Sequence, residues 1–168
     1  MSERGKPVVN LDELDFKDFG NGEGFQAKLG RIGDRIGAEA LGCMLTIVEP
    51  GKKAFPYHVH HAAEEMFIIL EGTGQYRFGA ERYAIRAGDV LAAPAGGAEV
   101  AHQIINTGDV TLKYLSLSTK PKTEVVEYPD SKKFAVNSRF DWSNPDGGGV
   151  RFIGRSEGGL DYWDGEDE

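Results

Sequence analysis

Short apolar runs broken by glycine punctuate the chain from about residue 41 to residue 118. Turn signals fall at Pro50-Gly51, Gly72-Thr-Gly74, Gly79-Ala80, Gly88-Asp89, Gly96-Gly97 and Gly108-Asp109. Between them lie runs at residues 65–70, 75–78, 83–86, 90–93, 102–106 and 110–118. Runs of that length at that spacing predict strands of a sandwich or barrel. Gln75-Tyr-Arg-Phe78 alternates polar and apolar, as a half-buried strand does. Residues 41–49, Leu-Gly-Cys-Met-Leu-Thr-Ile-Val-Glu, predict a strand rich in branched side chains that stops at Pro50-Gly51. Residues 25–32 predict a strand before it, and 34–37 a turn. Nothing in residues 38–120 has the period of a long amphipathic helix.

The two ends differ from this middle. Residues 1–24 are polar and glycine-rich, with Leu11, Leu14, Phe16 and Phe19 scattered through them. They predict an N-terminal arm that docks by those apolar side chains. After Lys120-Pro121, edge strands are expected at residues 124–128 and 132–136, a loop over 141–149, and a last strand at 150–153. The acidic end, Asp161-Tyr-Trp-Asp-Gly-Glu-Asp-Glu168, carries an aromatic pair. The division expected is an arm over 1–24, a β-barrel over 25–137, and a C-terminal arm and tail over 138–168.

Composition narrows the function. One domain is the default for 168 residues. The 27 acidic against 19 basic residues leave a formal charge of -8, which argues against nucleic acid as a partner. A single cysteine, Cys43, excludes an internal disulfide, and its apolar neighbours suit burial better than nucleophilic work. No apolar run reaches membrane-spanning length, and the Met1-Ser-Glu-Arg start has no signal-peptide hydrophobic region. A cytoplasmic protein with no membrane partner is the expectation.

The candidate chemistry sits in Pro50-Gly-Lys-Lys-Ala-Phe-Pro-Tyr-His58-Val-His60-His-Ala-Ala-Glu-Glu65-Met-Phe-Ile-Ile-Leu-Glu-Gly72. His58 and His60 are two apart, so on a strand both side chains leave one face. Glu65 opens the next apolar run and shares parity with Phe67 and Ile69, which favours it over Glu64. His61 has the opposite parity and is expected to face solvent. A further imidazole, His102, follows downstream with Asn106 four residues on. Imidazoles with one carboxylate suit Zn, Fe, Mn, Co or Ni better than Ca or Mg.

These spacings resemble the paired motifs of the cupin superfamily. The first motif is Gly51, six residues, His58-x-His60, four residues, Glu65, six residues, Gly72. The second is Gly88, five residues, Pro94-x-Gly96, five residues, His102, three residues, Asn106. Two gaps exceed the family pattern: the one before His58 by one residue, and the one between Gly96 and His102 by three. The chain looks like a group of small bacterial single-domain cupins, some of which carry sugar or sugar-phosphate isomerase labels. The resemblance implies an all-β fold, a double-stranded β-helix or jelly-roll-like barrel. It implies metal ligands at His58, His60, Glu65 and His102 and one divalent transition metal per chain. With the apolar arms, it also implies a homodimer.

The functions in view are an isomerase-like metalloenzyme acting on a small polar substrate, a metal-dependent oxygenase or decarboxylase of a small organic acid, and a small-ligand-binding module. The extra residues Gly97-Ala-Glu-Val-Ala101 are expected to bulge at the barrel mouth, which makes Glu99 a candidate catalytic base. Tyr57 is the other candidate catalytic group. Tyr76, Phe67 and Phe78 are candidates for the pocket wall or the core. Asn106 is expected to fix a turn.

Overall fold

The computed structural model describes residues 6–139 and 148–166. The loop expected over 141–149, apart from its last two residues, lies outside the described residues, as does Trp142. Strands and four short 3-10 turns make up the regular structure, and the described residues contain no α-helix. No helix is long and apolar enough to cross a membrane among them.

The strands are β1 (Phe16–Asn21), β2 (Phe25–Arg31), β3 (Leu41–Val48), β4 (Val59–His60), β5 (Glu65–Glu71), β6 (Thr73–Phe78) and β7 (Glu81–Arg86). They continue with β8 (Val90–Ala93), β9 (His102–Ile105), β10 (Leu112–Thr119), β11 (Thr123–Tyr128), β12 (Lys133–Ser138) and β13 (Val150–Gly154). One sheet runs β1-β2-β3-β10-β5-β8. The facing layer has two parts, β7-β6-β9 and β13-β12-β11-β4. An antiparallel bridge between His58 and His102 joins them, with reciprocal backbone bonds of 3.1 and 2.7 Å. Among the described residues, backbone pairing joins the two parts of the second layer through the histidine segment, and Arg77 of β6 adds a side-chain link to Asp130 beyond β11.

Alternation fills the space between the layers. Phe67 and Ile69 of β5, Leu112 and Tyr114 of β10, Tyr76 of β6 and Ile104 of β9 are buried in one cluster. Their i, i+2 spacing puts each pair on the inner face of its strand. Thus Tyr76 belongs to the core, as does the half-buried Phe78 packed against it. Gly72 turns β5 into β6 at φ +84°, where a Cβ would come within 2.5 Å of Thr111 O, so only glycine fits. Asn106 is fully buried. Its Nδ2 donates to Val48 O and Val110 O, and its Oδ1 accepts from Gly108 N–H, which fixes the turn into β10.

The N-terminal segment does more than drape over the barrel. Leu14 is buried with Ile32 and Leu45, and Val9, Leu11, half-buried Cys43 and Leu115 pack around them on the outer face of the first sheet. Burial raises the Cys43 thiol pKa and keeps it protonated. Residues 16–21, read from the sequence as arm, form β1 and pair along their whole length with β2. The strand was hidden because Phe-Lys-Asp-Phe-Gly-Asn is exposed throughout and lacks an alternating pattern. At the other end, β13 adds to β12 in register, Phe134 opposite Gly154 through Ser138 opposite Val150.

Candidate metal centre and its cavity

His58 and His60 leave the same face of one extended segment, and both point between the sheets. Glu65 enters from the first residue of β5, and His102 from the first residue of β9. The three Nε2 atoms surround one oxygen. His102 Nε2 lies 3.0 Å from Glu65 Oε2, His60 Nε2 3.4 Å and His58 Nε2 3.8 Å. The ligand atoms of His58, His60 and Glu65 all lie within 4.8 Å of one another. Bonds of about 2.1 Å to one cation, at tetrahedral or octahedral angles, put neighbouring donors about 3.0–3.4 Å apart. The His58, His60 and Glu65 group is thus placed to bind a metal ion, with His102 beside it on the shared Glu65 oxygen.

The electrostatics agree with that role. The side chains are only 3–20% exposed. Burial, with the charges of His102 and His60, pushes His58 down to about 4, so it is neutral at pH 7 and its Nε2 lone pair is free. His58 Nδ1 sits 2.8 Å from Pro56 O, which can only accept, so the proton is on Nδ1 and Nε2 faces the site. Burial alone would raise the Glu65 carboxyl. The hydrogen bond from His102 and the surrounding imidazoles outweigh it and hold the group below the usual carboxylate range.

A residue absent from the sequence-based candidates orders this cluster. Glu124, on β11, accepts three consecutive backbone N–H groups. Oε1 takes those of His61 and Ala62 at 3.0 Å, and Oε2 takes that of Ala63 at 2.7 Å. The same Oε2 lies 3.5 Å from His60 Nδ1. One carboxylate thus clamps the loop between His60 and Glu65 and sits behind the His60 ring. Tyr128, two positions beyond Val126 on the same face, stacks on His58 with ring centroids 6.2 Å apart and planes 27° apart. Both residues were legible only as part of an edge strand. Their shared parity, Glu124, Val126, Tyr128, was the available signal.

The cluster lies in the wall of a cavity of about 510 Å³, a size suited to a small molecule. The lining arrives as i, i+2 pairs: Ser116 and Ser118 of β10, Ala135 and Asn137 of β12, Arg151 and Ile153 of β13. Phe67 and Tyr128 line it, whereas Tyr57, Tyr76 and Phe78 do not.

The two catalytic candidates lie elsewhere. Tyr57 is adjacent to His58 on an extended segment and so faces the other way. Its hydroxyl donates to Gly79 O at 3.0 Å, and the Arg77 guanidinium covers its ring at 3.5 Å. The extra residues before His102 form the 3-10 turn Ala98–Val100. There the exposed Glu99 carboxylate turns back to accept the Gly97 N–H at 3.0 Å, away from the cavity lining. His61 is exposed, and its Nε2 lies 2.8 Å from Glu127 Oε1.

Fold and site together describe a β-barrel whose cavity wall carries a histidine–carboxylate cluster. Residues 44–118 match the family model of the cupin domain, and the fold is the double-stranded β-helix of solved cupins. A crystal structure from Acidithiobacillus ferrooxidans, of a protein proposed to be a sugar phosphate isomerase, superposes with TM-score 0.77 at 25% identity, over 92% of this chain and 96% of that one. A cupin from Silicibacter pomeroyi, called a sugar phosphate isomerase, gives 0.74 at 24% identity over 90% and 94%. A Thermotoga maritima protein predicted to be an oxalate decarboxylase gives 0.59 at 24% identity over 68% and 99%. An uncharacterised protein of Methanocaldococcus jannaschii is 35% identical over 85 residues, which span 48% of this chain and 65% of that relative's length.

Proposed function

We propose that the protein is a metalloenzyme, with one divalent transition metal per chain held by His58, His60, Glu65 and His102. The observation that carries this reading is the convergence of three Nε2 atoms on one Glu65 oxygen in the wall of a small-molecule cavity. A metal bound there would supply Lewis acidity, polarising a substrate hydroxyl, carbonyl or carboxylate oxygen. The remaining work belongs to the chain. Glu124 holds the ligand loop in place. Tyr128, whose hydroxyl is raised by burial, keeps its proton at neutral pH and can donate it in a hydrogen bond at the cavity wall.

Isomerisation of a sugar or sugar phosphate is the first version, the one that the names of the structural relatives suggest, although the apolar Val126–Ala135–Ile153 strip in the cavity wall favours a less hydroxylated substrate. Oxygenation or decarboxylation of a small organic acid is the second, favoured by Lys120, Lys122 and Arg151 at the cavity lip. The reading extends to a cytoplasmic homodimer, to be checked by light scattering.

Elemental analysis of purified protein is expected to give about one transition metal per chain, lost in His60→Ala and His102→Ala. Stoichiometric metal in both variants would refute the ligand assignment. Metal-loaded protein incubated with aldoses, ketoses, sugar phosphates and small acids, with and without O2, separates the reactions. Turnover abolished by Glu65→Gln supports an enzyme. Saturable binding with every ligand recovered unchanged would make the protein a binding module instead.

A further inference from the structure

The strand register sorts the cavity wall into rows. In the layer that carries the histidines, His60 is opposite Val126, Val126 opposite Ala135, and Ala135 opposite Ile153. Inward side chains at paired positions are neighbours. An apolar strip, Val126–Ala135–Ile153, therefore leads directly away from His60 across three strands. The next row on the same face is polar: Glu124 opposite Asn137, and Asn137 opposite Arg151. Glu124 is already engaged by three backbone N–H groups.

The same parity carried two residues further reaches the lip. Lys122 lies just before β11, two residues from Glu124, and Lys120 just after β10, two residues from Ser118. Lys122, Lys120 and Arg151 all line the opening. Lys120 is shared with Asp34 at 3.2 Å. In a chain of net charge -8, these three cations stand in a lining that also holds the Glu65 and Glu124 carboxylates, and Arg151, like Lys120, has an interaction of its own.

From this layout we infer that the cavity binds an amphipathic organic anion. An oxygen function at one end faces the His60 end, an aliphatic or aromatic body lies on the Val126–Ala135–Ile153 strip, and an anionic group rests at the Lys122/Arg151 lip. A polyhydroxylated sugar phosphate fits the two ends but not the middle. Hydroxyls turned toward Val126, Ala135 and Ile153 would lose water against side chains that offer no hydrogen bonds, and only Asn137, Ser116 and Ser118 beside the strip could replace part of it. The inference rests on the metalloenzyme reading only for the end of the ligand that faces His60.

The test is isothermal titration of the zinc-loaded and the chelator-treated protein with four probes: 3-(4-hydroxyphenyl)propionate, its uncharged propanamide, glucose 6-phosphate and glucose. The propionate is expected to bind more tightly than its amide and than glucose 6-phosphate, and glucose not to bind. Lys122→Gln and Arg151→Gln should each weaken the propionate by about two- to fivefold, as expected for solvent-facing charge pairs. Ile153 is half exposed, so Ile153→Ser leaves the fold intact. It should weaken the propionate by up to about tenfold through lost apolar contact and leave glucose 6-phosphate unchanged. Glucose 6-phosphate binding as tightly as the propionate, equal binding of acid and amide, or an unaffected Ile153→Ser would each overturn the inference. If the protein retains no metal yet these ratios hold, the metal reading fails and this one stands. If metal is stoichiometric and the ratios are near one, the reverse is true.

Discussion

Acidifying the metal-free protein should weaken its fold through His58 before most carboxylates titrate. In the folded chain this imidazole is pushed from its ordinary 6.5 down to about 4, because burial and two neighbouring imidazoles disfavour its charge. The unfolded chain therefore takes up a proton as pH falls below 6.5, while the folded chain does not until about pH 4. A group depressed in this way contributes its full stabilisation above the unfolded value. The contribution falls as pH drops through the window between the two and is gone below the folded value. The whole difference corresponds to about 3 kcal/mol, of which about 2 kcal/mol is lost by pH 5. Glu65 is also depressed, and its loss has the same sign, but its window lies below its ordinary 4.5. Between pH 7.5 and 5 the imidazole is thus read nearly alone from this pair. The assay is urea unfolding followed by far-UV circular dichroism on chelator-treated wild type and His58→Gln. The stability gap between the two is expected to change by about 2 kcal/mol across that range, with wild type losing the more. Parallel pH profiles would refute the argument that burial holds His58 neutral. Saturation with zinc should shift the loss of wild-type stability to lower pH, since the ligands bind metal only when deprotonated.

Three further outcomes are expected. Glu124→Gln keeps the size of the clamp but sets an amide N–H against backbone N–H groups, so metal affinity in a chelator competition should drop about 10- to 100-fold. Gly72→Ala must adopt a positive φ and place a Cβ against Thr111 O; it should lower the unfolding free energy by at least about 1 kcal/mol. Tyr57→Phe loses the hydrogen bond to Gly79 O and should cost about 1 kcal/mol of stability with metal content unchanged; loss of metal would place Tyr57 nearer the centre than its contacts do.

Much of the barrel could be read from glycine punctuation, because a turn that needs positive φ leaves a mark in the sequence wherever it occurs. The His58/His60 pair was equally plain, since a two-residue spacing on a strand has one geometric consequence. The three extra residues before His102 did not disturb its strand, because they coil into the Ala98–Val100 turn before β9 begins. Glu124, Tyr128 and the basic lip were not legible as parts of the site. They reach it through the pairing of β11 with the two-residue β4, a long-range register that no local pattern encodes. Tyr57 was misplaced for a reason the sequence did contain, since neighbours on a strand face opposite ways. Glu99 was misplaced because a short turn satisfied its carboxylate locally.

The narrow join in the second layer has a mechanical meaning. The panel β11–β12–β13 is joined by backbone pairing to the rest of its layer through β4 and the adjoining His58–His102 bridge, with one further side-chain link from Arg77 to Asp130. That panel is also the wall against which a guest would lie. Whatever stiffens the seam at one end steadies the wall at the other, and a guest pressing on the wall in turn braces the seam. Ion and guest should therefore enhance each other's hold by equal factors, so loss of either would loosen the barrel's hold on the other by the same factor.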